Sequence, residues 1–151
     1  TPGRVYTRGD YRALCERLGV SHVGEVLVPR DAEGVQRLLD LAYHDPPFAP
    51  DVVLEQTLDA FYASYRDERI ALLDTLIQDM DRLEARPVTA RARVQVIWGR
   101  DDPVFPLAIG ERLASSLKVK IEVIDRARHA PNVEHPELFN RMLRKFLRRA
   151  D

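Results

Sequence analysis

Two adjacent acids, Asp101 and Asp102, follow an apolar run and a glycine in the stretch VIWGRDDPVFP, residues 96–106. Some 27 residues later His129 follows a second apolar run, IEVI, and the acid Asp125. A carboxylate beside an imidazole holds the ring in one tautomer and stabilises its charged form, which is the supporting half of a nucleophilic triad. On spacing alone either acid serves. Each also has a plainer role: Asp102 as the cap of a helix beginning near Pro106, Asp101 as support for the turn or as a partner of Arg100. Asp125 reads as a turn residue. The nucleophile is harder to find. The four serines are Ser21, Ser64, Ser115 and Ser116, and none lies in Gly-x-Ser-x-Gly or between flanking glycines at a strand-to-helix turn. His22, His44 and His135 have no ligand-like spacing with one another or with Cys15, so no metal site is expected.

The elements that must position these residues can be read from the change of period along the chain. "RVQVIW" (93–98) and "KIEVI" (120–124) are rich in Val and Ile and predict strands. "PLAIGERLASSLK" between them predicts a helix with Leu107, Ile109, Leu113 and Leu117 as apolar anchors. A helical crossover makes the two strands parallel and the connection right-handed. Both loops then lie beyond the carboxyl ends of neighbouring strands, where open α/β sheets bind ligands. "HPELFNRMLRKFLRRA" predicts a last helix opening at Pro136 and burying Leu138, Met142, Leu143, Phe146 and Leu147. Because "RVQVIW" shows little polar alternation, it reads as an interior strand whose second neighbour is not in this sequence. The sheet is therefore expected to be incomplete, with an open edge available for pairing.

The chain divides near Pro87, and residues 1–86 read as mainly helical. "DYRALCERLG" has helical spacing, with Asp10 as a cap and Gly19 as the stop. Cys15 lies on its apolar stripe with Tyr11, Leu14 and Leu18 and is expected in the core. "EVLVP" reads as a short extended piece. "RDAEGVQRLLDLAYHD" predicts a helix capped by Asp31, and the prolines of "DPPFAPD" break it. "DVVLEQTLDAFYASYRDE" places Leu54, Leu58, Phe61, Tyr62 and Tyr65 on one stripe, and "ERIALLDTLIQDMDRLE" repeats the pattern.

Composition excludes several classes. With 45% apolar residues in 151, the chain is globular rather than disordered. Lys and Arg number 23 and Asp and Glu 24, leaving no basic footprint for nucleic acid. No apolar run approaches the roughly 20 residues that span a bilayer. Nothing reads as a signal peptide, and Thr1-Pro2-Gly3-Arg4 reads as a cut or processed end. A single cysteine fits a reducing compartment, so a cytoplasmic location is expected.

"VIWGRDDPVFP" followed by "IEVIDRARHAPNVEHPELFNRMLRKFL" resembles the end of an α/β-hydrolase. In that family a strand ends in Gly-x-x-Asp with a Pro a few residues later. The next strand is followed by the catalytic His, then Glu-x-Pro-Glu and a final helix. The resemblance covers residues 94–148. It assigns the acid to Asp102 and the base to His129. The helical block is similar, more loosely, to the cap inserted between the two halves of the hydrolase sheet. The implied fold is α/β: residues 1–86 as cap, residues 87–151 as the last strand-helix-strand-helix of the parallel core. Arg128 stands where the family usually has Gly, so this loop is expected to take its own path. Glu134, near the His loop, reads equally as a hydrogen-bonding support for it or as a solvated acid.

The resemblance implies a serine hydrolase acting on a small hydrophobic ester or related carbonyl compound, with no cofactor. It equally leaves room for carbon–carbon hydrolysis of ring-fission products, or for halide and epoxide chemistry. By family order the nucleophile is expected upstream of Thr1. Phe105, and the cap aromatics Phe61, Tyr62 and Tyr65, are candidates to line the pocket, while Trp98 is expected in the core. A second reading is a non-catalytic, truncated or split half. It would bind a complementary hydrolase half, or self-associate, through its open strand edge.

Overall fold

A computed structural model describes residues 5–84 and 88–148, save the side chain of Glu84. The expected boundary at 86/87, the start at Thr1 and the end of the last helix lie outside the described residues. The chain forms two compact units. One joins Val5 and Leu41–His44 to residues 88–148; the other holds Tyr6–Asp40 and residues 45–84.

The helical unit begins with α1 (Arg8–Leu18). Its start is set by a capping box in which Thr7, not Asp10, is the N-cap. The Thr7 hydroxyl accepts from the Asp10 amide at 3.1 Å, and the Asp10 carboxylate accepts from the Thr7 amide at 2.8 Å. Gly19 closes α1 in the left-handed region at φ 66°. The expected extended piece at "EVLVP" is instead a one-turn helix, α2 (Gly24–Leu27). Burial overrides local preference there, since Val23, Val26 and Val28 all turn inward. The guanidinium of Arg66 donates to the carbonyls of Val28 and Pro29 and pins the chain as it leaves α2.

Next come α3 (Ala32–Ala42), capped by the Asp31 carboxylate on the Gly34 amide at 2.8 Å, and α4 (Asp51–Phe61). The expected continuous stripe through Tyr65 is interrupted. α4 ends at Phe61, and Tyr65 adopts φ 57° immediately before α5 (Arg66–Gln78). α6 (Met80–Glu84) is separate from α5. Val26, Val35, Leu54 and Met80 are buried in this unit, as is Cys15. Arg8 spans from α1 to α6 through a paired contact with Asp81, Nη2 to Oδ2 at 3.0 Å.

The second unit carries the sheet. β1 (Val96–Gly99) and β2 (Ile121–Ile124) are parallel and are joined by α7 (Leu107–Ser116). Val96 pairs with Ile121 and Gly99 with Ile124, so the two strand tips end level with each other. Ile124 and Ala127 are fully enclosed, and Val96, Val104, Ile109 and Ala114 complete the core. Gly110 of α7 lies flat on Trp98: a Cβ there would come within 2.6 Å of the indole. Among the described residues, β1 has no strand on its other edge.

A one-turn helix, α8 (Pro131–Glu134), precedes α9 (Pro136–Arg148). The apolar side of α9 is less covered than its spacing predicts. No described residue of α9 is buried, and Leu147 is 58% exposed. Amphipathic spacing fixes which side of a helix is apolar, but a cover must come from other elements.

Candidate active site

β1 ends at Gly99, and the chain turns through Arg100, Asp101 and Asp102 into α7. The turn is held by Asp102 itself. Its Oδ1 accepts from the amides of Val104, at 2.8 Å, and Phe105, at 2.9 Å. This is the local side-chain-to-backbone pattern that makes Asp a turn residue. Its Oδ2 stands 3.0 Å from Nδ1 of His129. The capping role and the histidine contact are thus simultaneous, one oxygen for each. Asp102 is buried, while the His129 ring is 42% exposed.

His129 is positioned by β2 and the loop beyond it. The chain leaves Ile124, turns at Asp125 and Arg126, and passes back under the β1 tip. The Arg100 amide donates to the Ile124 carbonyl at 2.9 Å, and the Asp101 amide to the Ala127 carbonyl at 3.0 Å. Gly99 makes this passage possible. A Cβ there would lie 2.0 Å from the Arg128 carbonyl oxygen and 2.6 Å from that of Ala127. Close backbone approach, rather than a left-handed conformation, demands glycine at this tip. Arg128, the departure from the family's Gly, is spared a positive φ; Arg126 takes it instead, at 52°.

A carboxylate only accepts, so the ring nitrogen facing Asp102 carries the proton. In the neutral ring Nε2 then keeps its lone pair, as a general base requires. Beside the pair is a cavity of about 320 Å³ bordered by Trp98, Gly99, Asp102, Phe105, His129 and Pro131. The Phe105 ring lies 5.4 Å from the His129 ring, centroid to centroid. Trp98 is at this cavity rather than wholly in the core, its indole N–H donating to the Phe105 carbonyl at 2.8 Å. No serine, threonine or cysteine borders this cavity among the described residues.

No protein-family model matches the chain. A 2-hydroxy-6-oxononadienedioate/2-hydroxy-6-oxononatrienedioate hydrolase from Burkholderia vietnamiensis is 32% identical over 144 residues, covering 81% of this chain and 49% of that protein. A protein of the same name from Paraburkholderia phymatum is 34% identical over 142 residues, covering 80% and 48%. Among solved structures, a meta-cleavage product hydrolase from Pseudomonas fluorescens superposes with a TM-score of 0.61 at 20% identity, over 85% of this chain and 50% of that one. The chain has the α/β-hydrolase fold. A bacterial membrane phospholipase A also superposes on this chain, with a TM-score of 0.60 at 26% identity over 89% of it and 43% of the phospholipase. The chain spans about half the length of the curated relatives it matches.

The structure brings Asp102, His129 and Phe105 together. Phe61, Tyr62 and Tyr65 belong to the helical unit, where Phe61 is 64% and Tyr65 72% exposed and the Arg69 guanidinium sits 5.3 Å from the Tyr62 ring centre. Arg100 pairs with Asp125 rather than with the neighbouring Asp101. Asp101 instead faces His44, Oδ2 to Nδ1 at 3.4 Å. Each of the two adjacent acids therefore faces its own histidine. The sequence gives no local signal for the second pair, whose members are far apart in the chain. Among the described residues no cluster of His, Cys, Asp and Glu has the arrangement of a metal site. None of their helices is long and apolar enough to cross a membrane.

Proposed function

We propose that this chain supplies the acid and base of an α/β-hydrolase whose nucleophile attacks a carbonyl carbon. The observation that carries the reading is the 3.0 Å contact between Asp102 Oδ2 and His129 Nδ1, made on adjacent strand tips beside a cavity. His129 Nε2 takes the proton of the nucleophile and returns one to the leaving group, while Asp102 keeps the ring oriented and balances its charge. Phe105 supplies apolar surface at the reacting centre. The helical unit acts as a cap, and its exposed Phe61 and Tyr65, with Tyr62, offer apolar surface to the substrate. The unpaired edge of β1 takes a further strand of a hydrolase sheet, since parallel strands are normally paired on both sides.

Among carbonyl substrates, the names of the curated relatives favour carbon–carbon cleavage of 2-hydroxy-6-oxo-dienoate ring-fission products. Simple esters are the second reading, favoured by the phospholipase likeness. The test compares both substrate types in the polypeptide that carries this chain, before and after His129→Ala and Asp102→Asn. The expected result is a loss in kcat on the order of 10⁴-fold for either variant. Turnover that persists within tenfold after His129→Ala would refute the assignment of base.

A further inference from the structure

The loop that carries His129 runs from β2 to the single turn α8, and part of its hold comes from segments outside the sheet. Its backbone donors show how. The Arg128 amide, one residue before His129, donates to Oε1 of Glu134 at 2.6 Å. The Ala130 amide, one residue after it, donates to the Ala42 carbonyl at 3.1 Å. The second oxygen of Glu134, Oε2, accepts from the His44 amide. The His44 ring in turn faces Asp101, the residue before Asp102. The segment Leu41–His44 therefore touches the acid loop at Asp101 and the base loop at Ala130, and Glu134 fastens it to the base loop a second time.

From this geometry we infer that Glu134 is a positioning residue for His129, acting by clamping the Leu41–His44 segment to the histidine loop. The inference rests on the assignment of His129 as the base. A carboxylate suits the place because it offers two acceptor oxygens and no donor, and its bonds to backbone N–H groups are charge-assisted. Each oxygen takes one amide, from two segments 90 residues apart in one case and 6 in the other. Glutamine is not equivalent: it can satisfy one amide, while its NH₂ group opposes the other. The loop closes on itself independently of Glu134 through His135, whose Nε2–H donates to the Arg126 carbonyl at 2.8 Å. Loss of Glu134 therefore loosens the loop at His129 without unravelling it.

The test uses the isotopically labelled chain with Glu134→Ala and Glu134→Gln, read by amide hydrogen exchange and by imidazole nitrogen spectra. With Glu134→Ala, exchange at Arg128 and His44 speeds up at least tenfold, and His129 loses its single Nδ1–H tautomer. The amides of Ile121–Ile124 stay protected, which reports an intact sheet. With Glu134→Gln one of the two amides stays slow and the other quickens. A Gln variant with both amides as slow as in the parent chain overturns the two-oxygen clamp, whatever the fate of the Ala variant. An Ala variant with an intact sheet and an unchanged His129 tautomer overturns the positioning role. In turnover by the polypeptide that carries this chain, kcat falls about 100-fold with KM unchanged, the scale expected for a reacting group misplaced by about 1 Å. These spectra stand apart from the catalytic assignment. If His129→Ala leaves turnover intact, the assignment of the base fails while the clamp is still read directly from the amides.

Discussion

Replacing Gly99 by alanine inserts a methyl group where the two strand-tip loops touch. The added carbon would sit 2.0 Å from the Arg128 carbonyl oxygen and 2.6 Å from that of Ala127. Opening the nearer contact even to 3.0 Å moves backbone against backbone by about 1 Å, and no side chain can swing aside to absorb it. Overpacking of this kind costs about 1–3 kcal/mol. The same movement stretches the Arg100–Ile124 and Asp101–Ala127 hydrogen bonds at 2.9 and 3.0 Å, each contributing about 1 kcal/mol. Gly99→Ala should therefore lose about 3 kcal/mol or more in urea denaturation followed by circular dichroism. It should also separate His129 from Asp102. Gly19→Ala is the control: its φ of 66° disfavours alanine, but a Cβ there meets nothing within 4 Å. It should cost only about 1 kcal/mol, the conformational penalty alone. If Gly99→Ala proves as mild as Gly19→Ala, close approach does not explain the glycine at the strand tip.

Two further outcomes follow from the packing. Thr7→Ala removes the acceptor of the capping box on α1 and should lower stability by about 1 kcal/mol, measured in the same denaturation experiment. Ile124→Val deletes one buried methyl beneath the loops and should cost about 0.5–1.5 kcal/mol, with a loss below that range pointing to a core that closes over the gap.

The strand-helix-strand core was legible in the sequence because its signals are local. Val and Ile runs mark β1 and β2, a helical stripe lies between, and a crossover of that length leaves one topology. That topology brings both acids and His129 to one end of the sheet, since parallel neighbours bring their tips together, and the resemblance to α/β-hydrolases picks Asp102 over Asp101. What escaped reading depends on distant partners. "EVLVP" carries strand-forming valines, yet folds as a turn of helix because Val26 and Val28 are buried and Arg66, from α5, ties its exit. The break at Tyr65 carries no glycine or proline to announce a left-handed residue. The apolar side of α9 was visible, but not whether anything would cover it. The Glu134–His44 contact joins residues 90 positions apart and has no period to betray it.

Trp98 is the sole tryptophan in the chain. Its ring rests on Gly110, its N–H is tied to the Phe105 carbonyl, and its edge meets the cavity beside His129. Excited at the red edge, where the five tyrosines absorb little, the emission of this chain therefore comes from one indole standing at the proposed catalytic pair. Entry of an apolar molecule into the cavity displaces water from the indole and shifts the emission to the blue, while polar quenchers reach it through the same opening. The candidate site thus carries its own optical reporter, and occupancy can be titrated with no label and no turnover.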